Sequence, residues 1–290
     1  MKKLLEHEPP IFKTNEILFF LHRTFNLKNI KIQSLPSDRD QNFLLTNQSR
    51  KFVLKIYNNG ESLSYIKMQI AALEHIAKSA FSYKLPELIG EINQVKKDCK
   101  TYNICLFTYV EGNFISNIPF RKNKIIGVGR LVGELSSALQ NFKYKNVRQS
   151  FEWDLQDLNP LIARVSHIKS KSKQDLIHFH VDRYLKNVNP FLNSLTKSFI
   201  HNDGNMNNIL LDEHGEASGI IDFGDMVHSF TVLEAAVCMS YLGQNSTNCL
   251  NDMFLFLKGF RSKFKLNQEE IYSALYMVTV RLCISLSIAS

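Results

Sequence analysis

Between residues 198 and 225 the chain reads SFIHNDGNMNNILLDEHGEASGIIDFGD, and no other stretch restricts its fold as tightly. Acids and amides, among them Asp203, Asp222, Asp225 and four Asn, are punctuated by the apolar runs Phe199-Ile200, Ile209-Leu210-Leu211 and Ile220-Ile221. Runs this short between turn residues predict a strand–loop–strand–turn–strand unit. Buried strands would hold two rigid loops side by side, with the polar residues open to a cleft. The loops carry His201-x-Asp203-x-x-x-x-Asn208 and then Asp222-Phe223-Gly224. Phosphoryl transfer from a nucleotide asks for such groups: one carboxylate to position a hydroxyl and take its proton, and an amide with a second carboxylate to hold magnesium. The first half alone fits an Asn/Asp-rich hairpin loop as well. Both halves together would arise by chance in fewer than about 1 in 10,000 chains of this composition.

Upstream, residues 13–27 have a helical period, with Thr14 or Asn15 expected to cap it. Residues 30–35, 42–47 and 51–57 are β-rich runs that predict three antiparallel strands, with the polar turn PSDRDQ (36–41) between the first two. A helix is predicted over 62–80, and residues 99–110 return to strand before Glu111-Gly112 breaks it. Lys55 sits inside the apolar run FVLKIY, where a lysine is either an edge-strand gatekeeper or an ammonium reaching for phosphate. Helices are predicted over 124–142 and 173–195 and in three segments beyond residue 229. The expected organisation is α+β: a small antiparallel β-rich lobe with one helix over residues 1–110, and a mostly helical lobe over 111–290.

The 290 residues carry 35 Lys and Arg against 27 Asp and Glu, a net charge of +8, but no basic stripe with interleaved aromatics. A solvated surface is therefore expected, with no nucleic-acid partner. The five Cys show neither a C-x-x-C pair nor metal-ligand spacing, which fits free thiols in a reducing compartment. The start MKKLLEHEPP turns acidic before any apolar core develops, so it does not read as a secretory signal. The apolar run 276–290 is interrupted by Arg281 and is too short to span a bilayer. The expectation is a cytoplasmic protein with no membrane partner.

Strand lysine, helix, connecting strand, H-x-D-x-x-x-x-N and D-F-G, in that order, resemble the protein-kinase-like fold. FIHNDGNMNNILLD, GIIDFGDMVHS, FEWDL (151–155), SDRDQNFLL (37–45) and QIAALEHIA (69–77) resemble its small-molecule branch, the aminoglycoside phosphotransferase and choline kinase superfamily, and within it the hydroxylysine-kinase-like phosphotransferases. The resemblance covers most of the chain. It implies ATP and Mg2+ as cofactors, Asp203 as catalytic base, and Asn208 and Asp222 as magnesium ligands. It also implies Lys55 on the α- and β-phosphates, Ser37 and Asp38 in the loop over the phosphates, and backbone groups from Thr108 through Tyr109 to Glu111 on adenine. The phosphate loop lacks G-x-G-x-x-G, and Gln69 stands where related kinases place a lysine-pairing Glu, with Glu74 more than one turn further on.

The implied acceptor is a hydroxyl of a small amine-bearing metabolite such as hydroxylysine, an amino alcohol or homoserine. An aminoglycoside, choline or ethanolamine shares the same phosphate machinery and stays open, as does a non-catalytic kinase-fold module. No A-P-E segment follows D-F-G, which argues against a protein substrate. Asp225 could contact a substrate amine or a second metal, or cap a helix starting near 230. His228 reads as a loop or cap residue. Trp153 and Asp154 could line the acceptor pocket or pack in the core. Glu234 and Arg281 could bind the ammonium and carboxylate of an amino acid, or lie on a helix surface.

Overall fold

The computed structural model describes residues 7–48, 50–117, 122–145, 151–244 and 246–290. They form two compact units, one running to Leu73 and resuming over Pro86–Val110, the other taking Glu74–Leu85 with Glu111–Ser290.

In the first unit, helix α1 (Thr14–Phe25) precedes a five-stranded antiparallel sheet. Strands β1 (Lys31–Leu35), β2 (Gln41–Asn47), β3 (Arg50–Ile56), β4 (Leu88–Lys97) and β5 (Lys100–Thr108) lie in the order β1-β2-β3-β5-β4. Alternate residues of the inner strands, Phe43 and Leu45, Leu54 and Ile56, and Tyr102, Ile104 and Leu106, share one buried cluster with Ile17 and Leu21 of α1. That is the period of two a half-covered sheet requires. The helix begins one residue earlier than expected. Lys13 is its cap, in extended conformation, and its backbone N–H donates to Glu16 Oε2 at 2.6 Å. Helix α2 (Leu63–Ala77) follows β3.

The sheet has two strands more than the three first expected. The run 99–110 supplies β5, and β4 was not foreseen. Gly90 takes φ +73°, the pairing with β5 shifts register between Ile89 and Asn93, and the alternation that betrays a strand is broken there. The two-residue turn joining β4 to β5 is Asp98-Cys99, both at positive φ, in place of the Asn-Gly or Asp-Gly that usually marks it.

The second unit is built on helices α3 (Lys122–Leu139), α4 (Asn159–Val165), α5 (Lys171–Asn187), α6 (Thr231–Gln244), α7 (Cys249–Arg261) and α8 (Gln268–Ile288). Helices α3 and α7 approach until backbones touch: a Cβ on Gly129 would lie 2.1 Å from the Phe256 carbonyl oxygen, and one on Gly259 2.1 Å from that of Ile126. Helix α5 stops short of its predicted end because Pro190 cannot continue it, and the chain tightens into a 3₁₀ turn over Asn189–Ser194. Helix α8 is the last of the three helices expected beyond residue 229 and begins eight residues before the apolar run 276–290. Its 21 residues have the length and hydropathy of a membrane span, yet half of that window is buried inside the unit, where α8 packs on α5 and α6.

Four short strands frame the segment 198–228, and they do not form one sheet. Strand β7 (Lys197–Ile200) pairs antiparallel with β10 (Val227–Phe230), whereas β8 (Ile209–Leu211) pairs with β9 (Ala217–Ile220) and with β6 (Asn113–Phe114). The loops after β7 and after β9 are thus clamped by two separate ladders.

Candidate active site

One carboxylate fixes the exit of the chain from β7. Glu234, in the first turn of α6 and fully buried, accepts the backbone N–H of His201 and that of Asn202, the latter at 3.3 Å. Burial pushes its carboxyl up to about 7 although both N–H groups favour the anion. Glu234 is therefore not on a helix surface, and with each oxygen taken by a backbone N–H its expected contact with the acceptor ammonium is replaced by a structural one. Asn202 then takes φ +64°, a conformation Asn tolerates better than most residues, and turns the chain toward Asp203.

His201 has no exposure and bridges the two loops. Its Nδ1 accepts the Asp203 N–H at 3.2 Å, and its Nε2 lies 3.0 Å from the carbonyl oxygen of Ile221, just ahead of Asp222. Those partners require the neutral tautomer with the proton on Nε2, and burial, lowering the imidazole pKa, agrees. The Phe223 ring meets the imidazole edge-on at 4.7 Å. Gly204 follows where no side chain fits, since a Cβ would lie 2.3 Å from Cys238 Sγ on α6.

Asp203 is held by its own loop. Oδ1 accepts from Asn205 Nδ2 at 3.0 Å and Oδ2 from Asn208 Nδ2 at 2.7 Å, and the latter amide also reaches the Asp203 carbonyl oxygen at 2.9 Å. Burial first, then the charge of Asp225, push Asp203 up to about 8; the Asn205 bond and the Arg281 charge pull the other way, and Asp222 adds to the rise. With its NH2 turned toward Asp203, Asn208 keeps its amide oxygen for another partner. Asp222 is exposed at φ +62°, with Oδ1 accepting the Gly224 N–H at 3.3 Å. The Ile221 N–H donates to the Asn208 carbonyl oxygen at 2.9 Å, which ties the two candidate ligand residues together through backbone. An amide oxygen and a carboxylate are hard donors of the kind magnesium takes alongside phosphate oxygens and water, so the residues fit the ion. Among the described residues no set of three or more His, Cys, Asp or Glu could hold a metal by itself.

Asp225 is partly buried in the 3₁₀ turn Phe223–Asp225, and its carbonyl oxygen accepts from Asn202 Nδ2 at 3.4 Å. Strand β10 separates it from α6, so it caps no helix. His228 lies on β10 with its ring 5.3 Å from that of Phe199, and is neither loop nor cap. Asp154 is half-buried and held by its neighbours. Its Oδ1 accepts from Ser229 Oγ at 2.6 Å, its Oδ2 from Gln156 Nε2 at 3.0 Å, and that same nitrogen donates to the His228 carbonyl oxygen at 2.7 Å. Trp153 lies under the guanidinium of Arg281, whose Cζ is 4.1 Å from the ring centre. Glu111 is exposed, and its carbonyl oxygen lies 3.5 Å from Lys84 Nζ.

In the first unit, Lys55 is nearly buried on β3 and forms an ion pair with Asp40 at 3.2 Å, its Nζ 5.2 Å from the centre of the Tyr57 ring. Gln69 is not its partner: the Gln69 Oε1 accepts from the Tyr57 hydroxyl at 3.4 Å, and its Nε2 has no hydrogen-bond partner among the described residues. Glu74 is exposed. Asp40, which the sequence reading passed over, is buried, and its Oδ1 takes the Asn58 N–H at 3.0 Å. Its position at the end of the turn, two residues before the Asn42 that pairs with Lys55 across the sheet, was the available signal. Ser37 and Asp38 are exposed in that turn, where Ser37 Oγ accepts the Asp40 N–H at 3.1 Å. Tyr109 is half-buried with Lys51 Nζ 5.0 Å from its ring centre, and the Thr108 N–H is committed to the Glu87 carbonyl oxygen at 2.9 Å.

Residues 31–261 match the model of the phosphotransferase enzyme family, APH. The hydroxylysine kinases of Danio rerio and Mus musculus are 26% and 27% identical to the chain, each over 97% of it and over 84% and 82% of their own lengths. Among solved structures, a microcompartment-associated aminopropanol kinase aligns with TM-score 0.80 at 14% identity over 95% of this chain and 88% of its own. Amicoumacin kinase hAmiN, in complex with AMP-PNP, Ca2+ and Ami, aligns with TM-score 0.74 at 12% identity over 93% and 84%. At such identities the likeness is one of fold, the two-lobe α+β kinase-like fold. The family match, covering most of the length and both polar loops, settles the relationship: the chain belongs to the APH phosphotransferase enzyme family.

Proposed function

We propose that the protein is a small-molecule kinase that transfers the γ-phosphoryl group of ATP, with Mg2+, to a hydroxyl of an amine-bearing metabolite, hydroxylysine being the first acceptor to test. One observation carries the reading: Asp203 is gripped through both oxygens by Asn205 and Asn208, on a loop that His201 locks to the one bearing Asp222. A carboxylate so restrained has given up its rotational freedom before the acceptor arrives, and in-line phosphoryl transfer is chiefly a matter of positioning and charge neutralisation.

In this reading Asp203 orients the acceptor hydroxyl and takes its proton. Raised toward 8, it is a stronger base than an ordinary carboxylate, and an incoming ammonium helps to ionise it. Asn208 and Asp222 hold the magnesium, which when bound neutralises phosphate charge. Lys55 contacts the α- and β-phosphates, with Asp40 fixing its ammonium. Ser37 and Asp38 belong to the phosphate loop, and Tyr109 with Glu111 to the adenine contact. Asp225 is assigned to the acceptor amine. The residues assigned here are shared by amino-alcohol and aminoglycoside kinases, so an aminoglycoside acceptor is the second reading. All five cysteines are free thiols, which suits a cytoplasmic setting.

The test is ADP release with ATP and Mg2+ across hydroxylysine, amino alcohols, homoserine and aminoglycosides, with Asp203→Ala alongside. Acceptor-dependent release that falls by at least about 1,000-fold in the variant, with ATP–Mg2+ still raising its Tm, is the expected result. Near-normal turnover by the variant would remove Asp203 from the role of base.

A further inference from the structure

Arg281 is the largest fully buried side chain among the described residues, in the middle of α8 with 1% of its surface exposed. Its Nε and Nη1 donate to no acceptor among the described residues. Buried guanidinium groups are normally paired, because an unsatisfied charged donor weakens folding. This one instead has its Cζ 4.1 Å from the centre of the Trp153 ring, in cation–π contact with its face. It lies within electrostatic reach of Asp203, Asp225 and Tyr241, all of them partly exposed. Tyr241 first, then Asp203 and Asp225, counteract the drop that burial imposes on its pKa, and a guanidinium stays protonated in proteins. The molecule therefore carries a rigid buried cation with donors to spare, beside the carboxylate assigned to the acceptor hydroxyl.

We infer that Arg281, lying over Trp153, receives the carboxylate of the acceptor and so selects hydroxy-amino acids over amino alcohols that lack that group. The inference rests on the kinase reading above and adds to it a specificity determinant. A carboxylate of the acceptor gives Nε and Nη1 the acceptors they lack, while its ammonium faces Asp225 and its hydroxyl Asp203. Guanidinium suits this better than ammonium, because its donors are fixed in one plane and weakly hydrated. An acceptor without the carboxylate leaves the buried donors unpaired, the situation in which polar sites discriminate most strongly.

The decisive comparison needs no variant. 5-Hydroxylysine and its carboxamide differ only in the group proposed to meet Arg281. The wild-type protein is expected to use the acid with a kcat/KM at least about 100-fold higher than the amide. Trp153 is the single tryptophan of the chain, so its fluorescence gives a second readout that requires no turnover. A saturable change with the acid and none with the amide is expected. Arg281→Met should reduce the preference to less than about 5-fold, chiefly by raising KM for the acid, and Arg281→Lys should restore part of it. Equal kcat/KM for acid and amide overturns the inference and leaves the kinase intact. If no acceptor releases ADP, the kinase reading falls, and the fluorescence titration decides by itself: an acid-specific response supports the carboxylate site, and no response overturns it.

Discussion

Replacing Glu234 with Gln removes a charge and almost no volume, which makes it a clean probe of the carboxylate that shapes the loop after β7. The side chain is fully buried and faces the backbone N–H groups of His201 and Asn202. Its carboxyl is raised from 4.5 to about 7, with burial as the leading cause. A group whose folded pKa lies above its unfolded value contributes stability that is fully present below the unfolded pKa and is lost as pH rises through the folded one. In wild type this contribution is therefore whole near pH 4.5, declines through the interval to pH 7, and levels off above it. A difference of 2.5 units corresponds to about 3 kcal/mol at most. Urea unfolding of wild type and Glu234→Gln at pH 5, 7 and 9 gives the measurement, because groups common to both proteins cancel in the difference. Wild type should lose ground to the variant by about 2–3 kcal/mol between pH 5 and 9, most of it before pH 8. A difference that stays constant with pH would refute the reasoning, and one of opposite sign would mean that the two N–H bonds outweigh burial.

Two other perturbations test the scaffold. Asp40→Ala removes an ion pair from Lys55 and should raise KM for ATP by about tenfold while changing kcat for the acceptor less, as steady-state kinetics would show; an unchanged KM would separate Asp40 from nucleotide binding. Gly129→Ala drives a methyl group into the Phe256 carbonyl oxygen and should cost about 2–3 kcal/mol, a fall in Tm of roughly 5–10 °C by thermal unfolding.

The polar loops were legible because their chemistry depends on residue type and spacing, and the apolar runs around them are short enough to be nothing but strands. Helices α6, α7 and α8 were legible from their long apolar stretches. What escaped depends on tertiary partners. Strand β10 reads VHSF, too short and too polar to declare itself, and exists because β7 offers it a ladder. Asp40 looked like one more turn residue, since its value comes from Lys55, fifteen positions away and brought next to it only by the β2–β3 pairing. Glu234 and Arg281 misled in the opposite direction: a charged residue on a helix is usually on its surface, and only the packing of α6 and α8 places these two inside.

Strand β7 is anchored at both ends by carboxylates it meets late. The backbone N–H just ahead of it, on Thr196, donates to Glu270 of α8 at 2.9 Å, a partner 74 positions downstream, and the one just after it, on His201, donates to Glu234, 33 positions downstream. While the chain is being made, the H-x-D motif is thus complete long before the groups that give it shape have been added. Its letters come early in translation and its geometry comes last, which makes the H-x-D loop a report on whether α6 and α8 have folded onto it.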